Sequence, residues 1–310
     1  SGDKKPDGRP VNSVKSFMRN YNSERVIDEI ERLRKRFGGK IGTLIFDDDI
    51  FAFDPGRVEE FSKVYMRRGV GLPYVANAHS ETVDDERVMD YLRESGCKIL
   101  KFGVESGSEE MRTLVKRPAK EEGIIGAFER AHKRDIHTSA FLMFGLPTET
   151  NAQIDETMDL TARINPGRFR WSIFFPFPGT EAHRFTASKG LIDEEKMRGM
   201  HDYFSGSCLK FPEEQLLRID KLDKMFHWEV NARMPWSSAE EYRKMLDWVN
   251  SLSRREWESE KGGIKSLDKE TARRLSSEGK RRYQLRFMDV MAVDSSWFDK
   301  NSEGWTPERD

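Results

Sequence analysis

An α/β fold with a parallel sheet or barrel is the architecture that this sequence predicts. Short apolar segments alternate with amphipathic helical segments, and each strand-and-helix unit takes about 30 residues, which is typical of βα repeats. Glycine, proline, asparagine or acidic residues follow the apolar segments, as expected of strands that end at one rim. The 20 Phe, 7 Trp and 7 Tyr supply bulky side chains for a core, although the hydrophobic fraction of the 310 residues is only 36%.

The charge and cysteine content exclude several classes of protein. With 53 Lys and Arg against 54 Asp and Glu, the formal net charge is -1, whereas proteins that coat nucleic acid or anionic membranes carry a basic excess. No apolar run approaches the roughly 20 residues that span a bilayer, and the first residues lack a signal or transit peptide. Cys97 and Cys208 are too few for a disulfide framework or a thiolate metal site. We therefore expect a soluble, cytoplasmic protein without a nucleic-acid partner, a membrane span or metal ligands of its own.

Hydrophobic spacing, caps and breakers predict the elements in order. Residues 1–22 are polar and are expected to form an extended lead-in. Residues 23–37 are predicted to form a helix, because apolar side chains recur at helical spacing between Ser23, which can cap the helix, and the Gly38–Gly39 pair, which can end it. The predicted strands are 41–46, 74–78, 98–104, 137–144 and 168–175. The predicted helices behind them run from Pro55 to Gly69, from a cap at Thr82 to Gly96, from Ser108 for a short stretch, and over 121–134, 151–163 and 181–188.

The composition changes at about residue 190, where Trp, Lys, Arg and Glu become frequent. We therefore divide the chain into the lead-in, a barrel region over 23–189 and a helical appendage over 190–310. Within the appendage, the segment from Tyr283 to Val293 is compatible with a strand or with a buried helix. We expect its tryptophans, among them Trp228, Trp236 and Trp248, to pack on the barrel, the alternative being a roof over a substrate site.

Five segments carry a resemblance to a known family. They are NSERVIDEI at 22–30, FDDDIF at 46–51, ESGCKILKFGVESGSEEM at 94–111, FLMFGLPTET at 141–150 and FFPFPGTE at 174–181. In this order they resemble the core of a radical S-adenosylmethionine (radical SAM) enzyme. The sequence is most similar to the group whose members often carry an N-terminal cobalamin-binding domain, which includes methyltransferases and the anaerobic magnesium-protoporphyrin ester cyclase.

The resemblance implies a partial (β/α)6, TIM-like barrel that binds SAM at its open top. It also implies a [4Fe-4S] cluster that cleaves SAM reductively to a 5′-deoxyadenosyl radical. The implied activity is radical oxidoreductase chemistry or cobalamin-assisted methyl transfer, on a small molecule or peptide that the sequence does not identify.

The sequence departs from the family at the cluster. The family holds its cluster with three thiolates in a CxxxCxxC loop after the first strand, and no such loop occurs here. Because helix 23–37 corresponds to the family's first helix, we expect the chain to be a fragment cut just after that loop. The alternative is a natural variant that has lost the cluster. We favour the fragment, since a barrel without its first strand would expose a long edge.

The resemblance assigns SAM-binding roles to residues at the strand ends. As a set they are Asp47, Asp48, Asp49, Asn77, Glu105, Arg117, Gly145, Leu146, Pro176 and Pro178. The aspartates would meet the methionine amino group, Glu105 the ribose or methionine end, and Arg117 the carboxylate of SAM. Glycine and proline at the last two strand ends would frame the adenine.

Structural explanations compete with these roles. Asp48 is equally compatible with a cap of the next helix, and Glu105 with a charge stabilised at a helix N terminus. Arg117 is compatible with a solvated charge, with Lys116 as its rival. Ser106 and Ser108 are expected to be caps and Cys97 to lie in the core. His79 is expected to be a hydrogen-bonded structural residue, the alternative being an acid or base on the substrate side, and for Gly179 a plain turn competes with a place beside the adenine.

Two other functions compete with the enzyme. One is a SAM- or nucleotide-binding or scaffold module without redox chemistry. The other is a divalent-metal hydrolase that uses the aspartates at 47–49, since oxygen ligands suit Mg²⁺, although the further carboxylate or His cluster of such sites is missing. A CxxxCxxC loop upstream of Ser1 would indicate the enzyme.

Overall fold

The computed structural model describes residues 21–200 and 206–285 and the backbone of residues 292–295. The strands in these ranges form one sheet in the order β1-β2-β3-β4-β5-β7-β6. They are β1 Leu44–Ile45, β2 Tyr74–Ala78, β3 Cys97–Glu105, β4 His137–Phe144, β5 Arg168–Ile173, β6 Tyr283–Leu285 and β7 Ala292–Ser295. The predicted α/β fold is confirmed. Most of the predicted lead-in lies outside the described residues.

The first five strands pair in sequence order, and every pair is parallel. They form a half-barrel, in which the carboxyl ends of the strands share one edge because parallel strands point the same way. We call this edge the carboxyl edge. Beyond β5 the sheet continues with β7, which is antiparallel to both β5 and β6.

Helices cover the sheet between successive strands. They are α1 Ser23–Phe37, α2 Pro55–Arg67, α3 Glu86–Glu94, α4 Glu109–Leu114, α5 Glu121–His132, α6 Asn151–Ile164, α7 Glu181–Ser188, α8 Glu194–Gly199, α9 Glu213–Arg233, α10 Ala239–Ser251, α11 Arg254–Glu260 and α12 Ile264–Ser277. Helices α1 and α7 have the predicted bounds. The cap of α1 is Asn22 rather than Ser23, since the Asn22 side chain accepts a hydrogen bond from the Arg25 N–H at 2.9 Å.

The start of α3 differs from the sequence prediction. Thr82 was expected to cap this helix, but its hydroxyl donates to the His79 carbonyl at 2.9 Å and closes a short 3-10 turn over Ser80–Val83. Helix α3 begins after Asp85, whose carboxylate accepts from the Arg87 N–H at 2.9 Å. The sequence therefore offers two candidate caps, Thr82 and Asp85, and the α-helix begins after Asp85.

Strand β1 is shorter than predicted. Its ladder begins where the Leu44 N–H donates to the Pro73 carbonyl at 3.0 Å. Because Pro73 has no N–H to donate, the neighbouring strand cannot extend the ladder back to residue 41. Ile45 is 64% exposed. Within the described ranges no strand pairs with the other edge of β1.

The hydrophobic core runs from α1 through the sheet to α9. Phe226 of α9 lies parallel to the ring of Phe144 in β4, with ring centroids 5.6 Å apart, and it stacks on Trp171 in β5 at 5.5 Å. The C-terminal region is thus mainly helical, but α9, β6 and β7 share the core and sheet of the barrel. The division of the chain at about residue 190 stays a proposal. None of the described helices is long and apolar enough to cross a membrane.

Candidate functional site

The loop after β1 is tied to the end of β2. The backbone carbonyl of Asn77 accepts from the Phe51 N–H at 2.9 Å, and the Asn77 side-chain amide donates to the Asp48 carbonyl at 2.7 Å. This anchoring holds Asp47, Asp48 and Asp49 at the carboxyl edge with their side chains exposed. Asp54, rather than Asp48, caps α2, since its carboxylate accepts from the Gly56 N–H at 2.9 Å. The helix-cap alternative for Asp48 is therefore wrong.

His79 follows β2 and caps the short turn behind it. Its Nδ1 atom accepts from the Glu81 N–H at 3.4 Å. Burial lowers the pKa of His79, and the positive charge of Arg117 lowers it further. A neutral imidazole that already accepts a backbone hydrogen bond agrees with the structural role expected from the sequence.

Glu105 ends β3 in an unusual backbone conformation. Its φ angle is +64°, in the left-handed region, and the β3–β4 pairing skips Val104 to form a bulge. Left-handed residues other than glycine cost about 1–3 kcal/mol and cluster at functional sites. Because of the bulge and the left-handed φ angle, this carboxylate does not point to the face of the sheet that regular strand alternation would give it.

The Glu105 carboxylate is partly buried and forms no hydrogen bond with any described residue. Burial raises its pKa, and the nearby charge of Arg117 opposes the rise. Gly103 leaves room for this group, because a Cβ at position 103 would lie 2.9 Å from the Oε1 atom of Glu105. The arrangement offers both carboxylate oxygens as acceptors to a ligand with hydroxyl or ammonium donors.

Arg117 and Lys116 differ in their partners. Lys116 forms an ion pair with Glu181 at 2.7 Å, which links the loop after α4 to α7. The Arg117 guanidinium is exposed and forms no ion pair with the described residues, while its charge acts on Glu105 and His79. Arg117 is thus the better placed of the two to meet a carboxylate at the carboxyl edge.

Arg112, which the sequence reasoning missed, fixes the backbone that follows Glu105. Its guanidinium is 1% exposed and donates to the carbonyls of Ser106 at 2.9 Å, Gly107 at 2.7 Å and Ala119 at 2.8 Å. Burial lowers the pKa of Arg112, against the nearby charge of Glu109. A buried Arg bonded to three carbonyls makes this turn rigid, because each bond to a charged group is worth about 1.5–3 kcal/mol.

Helix α6 approaches the same turn at Gly107. A Cβ at Gly107 would lie 2.0 Å from the carbonyl oxygen of Glu156, so only glycine fits. The Thr157 hydroxyl accepts from the Gly107 N–H at 2.8 Å, and Ser106 Oγ accepts from the Ser108 N–H at 3.1 Å. Ser108 itself makes no side-chain cap bond. Neither serine therefore caps α4 through its side chain, contrary to the expectation from the sequence, and Ser106 instead stabilises the turn before the helix.

The end of β4 holds a second residue that the sequence reasoning did not single out. One oxygen of the Glu149 carboxylate accepts from the N–H groups of Gly145 at 2.6 Å and Leu146 at 3.1 Å. The other oxygen, Oε1, is buried and has no hydrogen-bond partner among the described residues. Burial raises the pKa of Glu149 to about 8, although the two backbone donors favour its charged form. The N–H groups of Gly145 and Leu146 are therefore bonded within the protein.

The last strand end presents proline and glycine as predicted from the sequence. Pro176 is buried, whereas Pro178 and Gly179 are exposed, and Gly179 has a φ angle of +86° that favours glycine. Leu146 is fully buried in an apolar cluster with Phe174. Apart from Arg117, which follows helix α4, the predicted site residues thus lie at or just after strand ends on the carboxyl edge. Leu146 and Pro176 are buried support there, and the polar residues lie nearer the surface.

The residues present do not fit an iron–sulfur cluster. Such a cluster takes several thiolates, and the sequence holds two cysteines. Cys97 lies buried in the main core, as expected, and Cys208 lies buried in a separate apolar cluster. Burial raises the pKa of each thiol, which disfavours the thiolate that binds metal. Within the described ranges, no group of three His, Cys, Asp or Glu residues is placed to hold a metal ion.

Comparison with known proteins agrees with the resemblance. The profile of the radical SAM superfamily matches residues 9–161. An uncharacterised methyltransferase of Pyrococcus horikoshii is 25% identical over 174 residues, which are 56% of this chain and 37% of the relative. The anaerobic magnesium-protoporphyrin IX monomethyl ester cyclase of Rubrivivax gelatinosus is 25% identical over 235 residues, which are 74% of this chain and 42% of the relative. The chain thus spans about two fifths of the length of these relatives.

A solved structure shares the fold. The cobalamin-dependent S-adenosylmethionine radical enzyme OxsB, with aqua-cobalamin and SAM bound, superposes with a TM-score of 0.54 at 12% identity, over 78% of this chain and 43% of OxsB. This likeness supports the half-barrel fold. The profile match identifies residues 9–161 as a radical SAM domain.

Proposed function

We propose that this chain is the SAM-binding core of a radical SAM enzyme. The observation that carries the proposal is the Glu105 carboxylate, which lies partly buried at the carboxyl edge without a hydrogen bond to any described residue. A carboxylate kept from protein partners in a strained turn is suited to a ligand that brings its own donors. SAM carries two vicinal ribose hydroxyls and an ammonium group.

The roles of the neighbouring residues follow from their charges. Glu105 would accept hydrogen bonds from the ribose hydroxyls, and Arg117, which acts electrostatically on Glu105, would pair with the SAM carboxylate. The exposed aspartates at 47–49 would attract the ammonium group and the sulfonium. Asn77 would keep these aspartates in place through its bond to the Asp48 carbonyl at 2.7 Å.

Glu149 and Arg112 would position rather than contact SAM. Glu149 fixes Gly145 and Leu146 at the end of β4, where the adenine would pack against Pro176 and Pro178. Arg112 fixes the turn that follows Glu105. Both are buried, so they shape the edge without taking a ligand themselves.

The [4Fe-4S] cluster implied by the family has no fitting set of residues in this sequence. With two buried cysteines, these 310 residues do not supply its thiolates, and any cluster would need cysteines from outside this sequence.

The reaction and partners belong to the same proposal. The methyltransferase and the ester cyclase among the relatives, and the cobalamin-dependent OxsB among the structures, favour cobalamin-assisted methyl transfer or other radical chemistry. A cytoplasmic location belongs to the same proposal. A cobalamin-binding domain would be the partner, and the substrate is unidentified. The superfamily match favours this reading over a nucleotide-binding module without redox chemistry.

Equilibrium dialysis with radiolabelled SAM tests the proposal. SAM should bind to the 310-residue chain, and S-adenosylhomocysteine should compete, since it keeps the ribose and the amino-acid end. ATP should not compete, because its triphosphate would meet the aspartates at 47–49. If ATP displaces SAM and S-adenosylhomocysteine does not, the nucleotide-binding alternative is correct instead.

A further inference from the structure

A pocket of about 460 Å³ lies between α12 and the strand β6. Its polar lining comes mainly from Lys265, Asp268, Lys269, Arg273, Arg282 and Gln284. Strand β6 is the last strand of the sheet, at the opposite end from β1. The pocket therefore does not belong to the candidate SAM site, which begins at the ends of β1, β2 and β3.

The pocket is rich in positive charge. Lys265, Lys269 and Arg273 recur every four residues and so lie on one face of α12. Lys269 and Arg273 are exposed and form no ion pair with the described residues. Arg282 adds a fourth cation from the β6 side and is 5% exposed. Lys265 and Arg282 have further partners, so Lys269 and Arg273 are the cations that favour an anionic ligand.

The acidic residue, Asp268, is part of a buried hydrogen-bond network. It is 3% exposed, and its Oδ1 atom accepts from His227 Nε2 at 2.7 Å and from Trp228 Nε1 at 2.7 Å. Its Oδ2 atom forms no hydrogen bond with the described residues, although Asp268 lines the pocket. The network fixes this oxygen as an acceptor next to the cations.

Arg282 is held just as firmly. It donates to the Lys280 carbonyl at 3.0 Å and to Gln284 Oε1 at 2.8 Å. Its guanidinium and the Asp268 carboxylate are close enough for each charge to shift the pKa of the other. The pocket thus combines a fixed buried cation, a fixed acceptor and two rim cations that form no ion pair with the described residues, which suits an anion that also carries a hydroxyl group.

We propose that this pocket binds a phosphate monoester of sugar-phosphate or mononucleotide size. The phosphate would lie among the cations of α12 and Arg282, and a sugar hydroxyl would donate to Asp268 Oδ2. A phosphate group suits this lining because it accepts several charge-assisted hydrogen bonds from Lys and Arg. The pocket volume is at the lower end of the range for small-molecule sites, about 300–1,000 Å³.

Calorimetric titration of the chain with ribose 5-phosphate and, separately, with inorganic phosphate tests this proposal at 0.15 M salt. We expect ribose 5-phosphate to bind at least tenfold more tightly than inorganic phosphate, because only the ester brings a sugar hydroxyl that can reach Asp268 Oδ2 while the phosphate lies among the cations. Lys269→Glu and Arg273→Glu should each weaken its binding at least tenfold. Both residues are exposed, so these variants should fold.

The matched control is Arg255→Glu, which makes the same charge change at an exposed residue of α11 away from the pocket. This control should change the affinity less than twofold. Equal weakening by all three variants would mean non-specific attraction and would overturn the proposal, as would the absence of binding by either ligand. Equal affinity for the two ligands would contradict the proposed hydrogen bond between a sugar hydroxyl and Asp268 Oδ2, and would show a site for free phosphate.

Discussion

The carboxylate of Glu105 lies directly above Gly103, two residues earlier on the same strand. A Cβ at position 103 would come within 2.9 Å of Glu105 Oε1. The contact would involve the far end of a flexible side chain, so an added methyl group would move the carboxylate rather than the strand. The glycine thus controls where the acceptor oxygens of Glu105 lie.

Gly103→Ala is therefore expected to change binding more than folding. The displaced carboxylate should lower the affinity for SAM several-fold, while the thermal unfolding midpoint stays within about 3 °C of the original. Dialysis with labelled SAM and a thermal melt give the two readouts. An alanine variant with unchanged SAM affinity would show that the position of Glu105 does not matter for the ligand.

Arg112→Met should destabilise the fold strongly. The substitution leaves the carbonyls of Ser106, Gly107 and Ala119 without their buried donor, which we expect to cost about 3–5 kcal/mol. Arg117→Met is the matched control, since the Arg117 side chain is exposed, and its effect should stay within about 0.5 kcal/mol. Urea unfolding measures both. Equal midpoints for the two variants would contradict the role given to Arg112.

The two glycines at positions 107 and 123 should respond in opposite directions to alanine. Gly107→Ala places a Cβ 2.0 Å from the Glu156 carbonyl oxygen and should destabilise the fold by more than about 2 kcal/mol. Gly123 lies in α5 with no atom within 4 Å of an added Cβ, so Gly123→Ala should stabilise by about 0.5–1 kcal/mol. Destabilisation by both would mean that the packing of α6 on the Gly107 turn is not specific.

Glu149 should make stability depend on pH. Its pKa in the folded protein is about 8, above the value near 4.5 of an exposed glutamate, so the folded state holds a proton that the unfolded state releases. Stability from this group is complete below about pH 4.5 and is lost as the pH rises towards 8. The free energy of unfolding of Glu149→Gln, relative to that of the original protein, should therefore rise by up to about 1.4 kcal/mol per pH unit within this window.

Denaturant unfolding at pH 5, 6.5 and 8 measures this difference. The control is Glu122→Gln, which removes an exposed carboxylate. Its free energy of unfolding, relative to the original protein, should not change with pH. A flat difference for Glu149→Gln as well would mean that Glu149 is ionised throughout this range.

Local signals in the sequence were sufficient for much of the fold. The helix at 23–37 was predictable because its apolar spacing ends at two glycines, and the order of β1 to β5 followed from alternating βα units. The same alternation predicted that the ends of five strands would share one edge. It therefore located Asp47, Asn77 and Glu105 correctly at the carboxyl edge.

The residues that the sequence reasoning missed depend on long-range packing. Nothing local distinguishes Arg112 from the exposed Arg117, because its burial is set by the turn of Ser106 and Gly107 and by Ala119. Glu149 has a local signal, since it follows the Gly145–Leu146 pair at the distance of a tight turn. The contact of α9 with β4 and β5 joins residues more than 50 positions apart, and hydrophobic spacing alone does not reveal such contacts.

The central claim is that SAM binds at the carboxyl edge through Glu105, and a comparison of two carboxylates tests it most directly. Glu105→Gln keeps the shape of the side chain but removes its charge, while Glu109→Gln makes the same change at an exposed residue four positions later. Equilibrium dialysis should show SAM affinity at least tenfold lower for Glu105→Gln, because charge-assisted hydrogen bonds are worth about 1.5–3 kcal/mol each. The affinity of Glu109→Gln should stay within twofold of the original. No SAM binding by the original chain, or equal affinities for the two variants, would contradict the claim.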